Sequence, residues 1–74
     1  MSGIVAIGER ERIQGFAFAG VRVIATEDAE SIRAAWRRLP AELELVILTA
    51  AAHAALSAEQ LTREEAPLAV VMPG

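Results

Sequence analysis

Four short apolar runs alternate with three stretches of helical character, and this alternation constrains the fold more than any other feature of the chain. Gly3-Ile4-Val5-Ala6-Ile7-Gly8 is a β-branched run closed by glycine, the pattern of a buried strand. Glu9 to Ala19 predicts a helix with acidic residues in its first turn and Gly20 as its C′ stop, weakened in the middle by Gly15. Val21-Arg22-Val23-Ile24-Ala25 is a second strand, and its lone Arg22 points to an edge position. Thr26-Glu27-Asp28 opens the clearest helix. There Ile32, Ala35, Trp36 and Leu39 stand at i, i+3, i+4 and i+7 and form one apolar stripe, with Arg33, Arg37 and Arg38 expected on the solvent face. Pro40 ends it. Glu44 to Thr49 contains Leu45-Val46-Ile47-Leu48, a strand without alternation and so expected to be buried on both faces. An alanine-rich helix starts near Ala50, and Ser57-Ala58-Glu59-Gln60 reads as a capping box where it can restart. Pro67 then introduces a fourth strand, Leu68 to Met72.

Strands joined through helices in this way make a parallel sheet with right-handed crossovers. The fold class is therefore α/β: a four-stranded parallel sheet with three helices in a flavodoxin-like Rossmann winding. The first and third runs are the most uniformly apolar, which places them centrally and gives the order 2-1-3-4. With 74 residues, the chain is read as one domain over residues 1–74. A domain of that size buries only about 60% of its unfolded surface, so it is expected to be marginally stable without a partner.

Composition excludes much chemistry. The absence of cysteine removes disulfides, thiolate metal sites and thiol nucleophiles. All 7 basic residues are arginine, so a P-loop lysine, a Schiff base and a lysine general base are excluded as well. A net charge of −3 with a pI near 5.0 does not suit a nucleic-acid platform or a basic membrane-surface helix. The longest apolar runs are about half a membrane span, so no direct membrane insertion is expected. The first residues lack a basic region and a long apolar core, so no signal peptide is read and a cytoplasmic location is the default.

In an open parallel sheet, ligands bind outside the carboxyl ends of the strands, at the point where the strand order reverses. The residues due there are Gly8-Glu9-Arg10, Ala25-Thr26, Thr49-Ala50 and Pro73. A dinucleotide site wants G-x-G-x-x-G, but Gly8 is followed by Glu9 and Arg10, and a carboxylate at the phosphate position repels the phosphate. A phosphoryl-accepting receiver needs an aspartate where Thr49 stands, an acidic cluster for Mg²⁺ and a lysine. His53 is the only histidine and has no other nitrogen or sulfur ligand to join in a metal site. Ser57 has no histidine to activate it, so a capping role fits it better than a nucleophilic one. Glu9 with Glu11, and Glu64 with Glu65, read as solvated helix charges. Trp36 reads as core. Phe16 and Phe18 lie about 200° apart around a helix, so one of them is expected to be partly exposed. No catalytic residue, cofactor site or metal site is read from the sequence.

Three blocks carry a family resemblance. Gly8-Glu9-Arg10 followed by Gly15-Phe16 and Ala19-Gly20-Val21 resembles the amino-terminal signature of the F subunit of V/A-type (V-type) ATP synthases, G-[DE]-x-x-x-x-x-G-F-x-x-A-G-[VI]. Leu45 to Thr49 is similar to that family's third strand with its terminal threonine, and Pro67 through Pro73 is similar to the P-x-x-x-x-x-P ending of its fourth strand. The resemblance implies a non-catalytic subunit of the rotating central stalk in a proton-translocating complex. Such a protein binds the coiled-coil D subunit of the stalk alongside other rotary ATPase subunits and couples ATP synthesis or hydrolysis to rotation. It is cytoplasmic and attached to the membrane only through the complex. The resemblance also implies that Gly15 permits a close approach and that Phe16 packs under the loop before the second strand. Family members continue past the fourth strand into a carboxyl-terminal tail that this sequence, ending at Gly74, does not show. Glu9, Arg10, Arg12 and Phe18 are the candidate partner-binding residues. The alternative is a stand-alone flavodoxin-like module that binds a small anion or nucleotide near Gly8, Thr26 and Thr49.

Overall fold

A computed structural model describes residues 3–40, 42–56 and 67–73, leaving aside the side chains of residues 17–19. In chain order the elements are β1 (Ile4–Gly8), α1 (Arg10–Ile13), a 3-10 stretch (Gln14–Ala19), β2 (Arg22–Ala25), α2 (Ala29–Arg38), β3 (Leu45–Leu48), α3 (Ala50–Ala55) and β4 (Ala69–Val71). All three strand pairings are parallel, and the order across the sheet is β2-β1-β3-β4. The two uniformly apolar runs therefore hold the centre, and Arg22 lies on an edge strand. The capping-box segment at Ser57 and the Glu64–Glu65 pair lie outside the described residues.

Side-chain alternation divides the core between the two faces of the sheet. Val5, Ile7, Val46 and Leu48 are buried in one cluster with Ile32, Trp36 and Leu39 of α2 and its end, and with Ala52 and Leu56 of α3 and its end. Ala6, which alternation sends to the opposite face, and Ile13 of α1 are fully buried outside that cluster. The burial of β3 is less even than its apolar run predicts. Val46 and Leu48 are buried, but Leu45 and Ile47 on the second face are only partly covered.

The boundaries of α2 follow from its flanking residues. The Asp28 carboxylate accepts the Ser31 N–H at 2.9 Å and the Ser31 hydroxyl at 3.0 Å, satisfying donors that the first turn leaves open. At the other end, Pro40 disfavours helical backbone at Leu39, which turns extended at φ −66°, ψ 132°. Gly20 closes the first crossover with φ +79°, a conformation that glycine adopts without steric penalty.

Three local expectations are corrected. The predicted helix from Glu9 to Ala19 keeps α-geometry only to Ile13 and continues as a 3-10 stretch, consistent with the weak helix propensity of Gly15 and Phe16. Gly15 itself makes no close approach, because a Cβ built there meets nothing within 4 Å. Arg33 is not on the solvent face. Its Nη1 donates to the Ala55 carbonyl at 3.2 Å, tying α2 to the last turn of α3, where helix carbonyls lack intrahelical partners. Trp36 is core, as its place on the apolar stripe predicts, with 1% of its surface exposed.

Candidate functional site

The carboxyl ends of β1 and β3 are where this winding offers a crevice, and here the side chains of Glu9 and Thr49 meet across it. Glu9 is the N-cap residue of α1; its backbone carbonyl accepts the Arg12 N–H at 3.0 Å and the Ile13 N–H at 3.2 Å. Its side chain does not cap the helix. It reaches across to the end of β3 instead, where its Oε1 accepts the Thr49 hydroxyl. Thr49 is buried and serves as the N-cap of α3, its Oγ1 accepting the Ala52 N–H at 3.1 Å. Its backbone N–H donates to the Ile7 carbonyl at 3.2 Å, which seats it against the end of β1.

Gly8 makes this junction possible. A Cβ built at Gly8 falls 2.8 Å from the Thr49 Cβ and closer still to both of its branches. The threonine side chain thus occupies the volume that any other residue at position 8 needs. On the β2 side, the Thr26 N–H donates to the Gly8 carbonyl at 2.9 Å, and the Thr26 Oγ1 accepts the Asp28 N–H at 3.2 Å. Thr26 is thereby committed to the entry of α2.

This arrangement limits the available chemistry. The Thr49 hydroxyl spends its donor on Glu9 and accepts from Ala52, and its burial removes it from any ligand. The Glu9 carboxyl is held below its ordinary value chiefly by the Thr49 hydroxyl, then by its own backbone N–H, with a smaller contribution from Arg12. A carboxylate held ionised is a weak base, and its charge stands where a phosphate would have to sit. His53 is exposed on α3. Among the described residues, no group of three His, Asp or Glu side chains is placed to hold a metal ion. Among them also, no helix is long and apolar enough to cross a membrane.

Three of the four candidate partner-binding residues stand at the start of α1. Glu9 is half-buried and engaged with Thr49, and Arg10 and Arg12 are exposed on α1. Phe18 lies in the 3-10 stretch, and its side chain is among those left aside. Phe16 is half-buried, and its carbonyl accepts the Val21 N–H at 3.3 Å at the entry to β2. Thr49 as the partner of Glu9 is the contact that sequence reasoning missed. The terminal threonine of the third strand is a visible feature, but nothing local links it to a residue 40 positions earlier.

The junction predicts a pH-dependent effect. Thr49→Val removes both the cap acceptor and the donor to Glu9, and is expected to cost about 1–2 kcal/mol near neutral pH. A carboxyl whose folded value is lowered stabilises fully above its ordinary value of 4.5 and loses that contribution as pH falls through the lowered folded value. The difference in melting temperature between the original chain and Thr49→Val should therefore narrow on acidification from about pH 6 to about pH 3. Melting followed by circular dichroism across that range checks it, and a constant difference would mean that Glu9 does not sense the hydroxyl.

A protein-family model described as ATP synthase (F/14-kDa) subunit matches residues 4–74. No curated protein and no solved structure matches the chain significantly.

Proposed function

The chain belongs to the family described as ATP synthase (F/14-kDa) subunit, and we propose that it is a non-catalytic component of the rotating central stalk of a V/A-type complex. In this reading it binds the coiled-coil D subunit of the stalk and helps couple ATP synthesis or hydrolysis, and proton movement, to rotation. It is then cytoplasmic and held at the membrane only through the complex. The observation that carries the non-catalytic part is the Glu9–Thr49 junction at the carboxyl end of the sheet. A phosphate ligand in this winding needs that position open, and here a carboxylate and a buried threonine fill it.

In this reading the protein acts through its surface. Arg10 and Arg12, exposed on α1, are the proposed contacts at this end, and Phe18, later in the same crossover, is proposed as a further one. Glu9 supports them from behind by fixing the start of α1.

Two titrations test the reading. Isothermal calorimetry with the coiled-coil partner of the same organism is expected to show saturable binding. Thermal-shift measurements with ATP, ADP, phosphate and flavins are expected to show no saturable stabilisation. Micromolar nucleotide binding without coiled-coil binding would favour the stand-alone ligand-binding module.

A further inference from the structure

The edge of the sheet at β2 carries a feature separate from the Glu9–Thr49 junction. Two open grooves meet there. One, of about 380 Å³, lies between β2 and α2 over Ile24, Ala35 and Leu39, with Arg22 and Arg38 at its margins. The other, of about 400 Å³, runs beneath the start of β1 over Ile4 and Leu43. Arg22 and Pro40 line both, so the two adjoin around the amino end of β2 and together make one trough.

Sequence spacing explains the space. Ser31, Ala34 and Arg38 stand at i, i+3 and i+7 on α2, on a single helix face beside β2. Two of these side chains are small, so that face does not fill the volume next to the edge strand. The sheet adds nothing there, because β2 pairs only with β1 among the described strands. Arg22 and Arg38 are exposed, and neither guanidinium makes a hydrogen bond or ion pair with a described residue. On a chain of net charge −3 they place two positive groups on the lining of one groove.

An apolar floor between two such guanidinium groups complements a segment with apolar residues flanked by carboxylates. A small free anion would leave that floor uncovered. We propose that this trough seats an acidic amphipathic helix of the coiled-coil partner, with its carboxylates on Arg22 and Arg38 and its apolar side on Ile24, Ala35 and Leu39. The assignment rests on the stalk reading above. It locates a contact at the opposite end of β2 from Arg10 and Arg12. The other sheet edge, β4, has no charged residue and offers no such complementarity.

The test is calorimetric titration of the full chain with the coiled-coil partner at low and physiological salt. The double variant Arg22→Glu/Arg38→Glu is expected to bind at least about 30-fold more weakly and with a shallower salt dependence, because it sets like charges against each other. Arg22→Lys/Arg38→Lys keeps the charge and should stay within a few-fold of the original affinity. Circular dichroism confirms that the variants fold; should the double reversal unfold, Arg22→Gln and Arg38→Gln singly are each expected to weaken binding about fivefold. Unchanged affinity in the charge-reversed or neutral variants, with the original chain binding, overturns the trough while leaving the stalk reading intact. Absence of binding by the original chain overturns both. Self-association of the chain alone, abolished by the charge reversal in sedimentation velocity, also overturns the assignment, because a second copy would then be the occupant.

Discussion

Gly8→Ala is expected to destabilise the fold by about 3 kcal/mol, the upper end of the usual range for overpacking a filled site. The added methyl lands 2.8 Å from the Thr49 Cβ and nearer still to its branches, and neither side can yield easily. β1 is paired on both flanks, and Thr49 is fixed by its bonds to Ile7, Ala52 and Glu9. Urea denaturation followed by circular dichroism measures the cost. A double-mutant cycle identifies the cause: in a Thr49→Ala background, where Oγ1 and Cγ2 are gone, Gly8→Ala should cost at least about 1 kcal/mol less. Gly15→Ala is the matched control. Its Cβ enters open space, so it is expected to be neutral or to stabilise by up to about 1 kcal/mol. If the two glycines respond alike, the close approach at Gly8 is not what holds the junction.

Trp36→Ala is the other large effect expected. Trp36 is the largest fully buried side chain among the described residues, and it joins α2 to the face of the sheet carrying Val5, Ile7, Val46 and Leu48. Truncating a buried tryptophan to alanine costs about 3–5 kcal/mol. A 74-residue chain has on the order of 4–11 kcal/mol in total. The variant should therefore lose about a quarter or more of its stability, and at the low end of that range it should show no cooperative transition at all. Trp36→Phe retains most of the buried area and should cost less than half as much. Thermal melting of the three chains by circular dichroism gives the ranking; a small loss for both Phe and Ala would mean that Trp36 packing does not hold α2 on the sheet. If the coiled-coil partner binds the folded state, its addition should raise the melting temperature of each chain that still folds.

Local patterns carried the sheet, and contacts between distant residues carried the site. β1 and β3 were identifiable as central strands because each is apolar from end to end, and β2 as an edge because Arg22 interrupts it. The ends of α2 were legible because Asp28 and Pro40 act on backbone within a few residues. The Glu9–Thr49 bond had no such signal: an acidic residue at a helix start and a threonine at a strand end are each ordinary features of an α/β chain. Their meeting depends on β1 and β3 lying side by side in register, and so does the need for glycine at position 8. The family signature drew notice to Gly15 for the same close-approach role that geometry gives to Gly8. For a related reason helical periodicity puts Arg33 beside the polar face, and only the position of α3 supplies the Ala55 carbonyl. The trough at β2 likewise arises between two elements, from small residues on α2 that the apolar stripe did not include.

The proposed role is that of an ATP synthase component that works by binding to the coiled-coil stalk. Native mass spectrometry of the complex assembled from its separately expressed subunits tests that role most directly. The chain is expected to enter stoichiometrically when the coiled-coil partner is present and to be lost when that partner is omitted. Incorporation that is indifferent to the coiled-coil partner, or a complex that forms with the chain left free in solution, would contradict it.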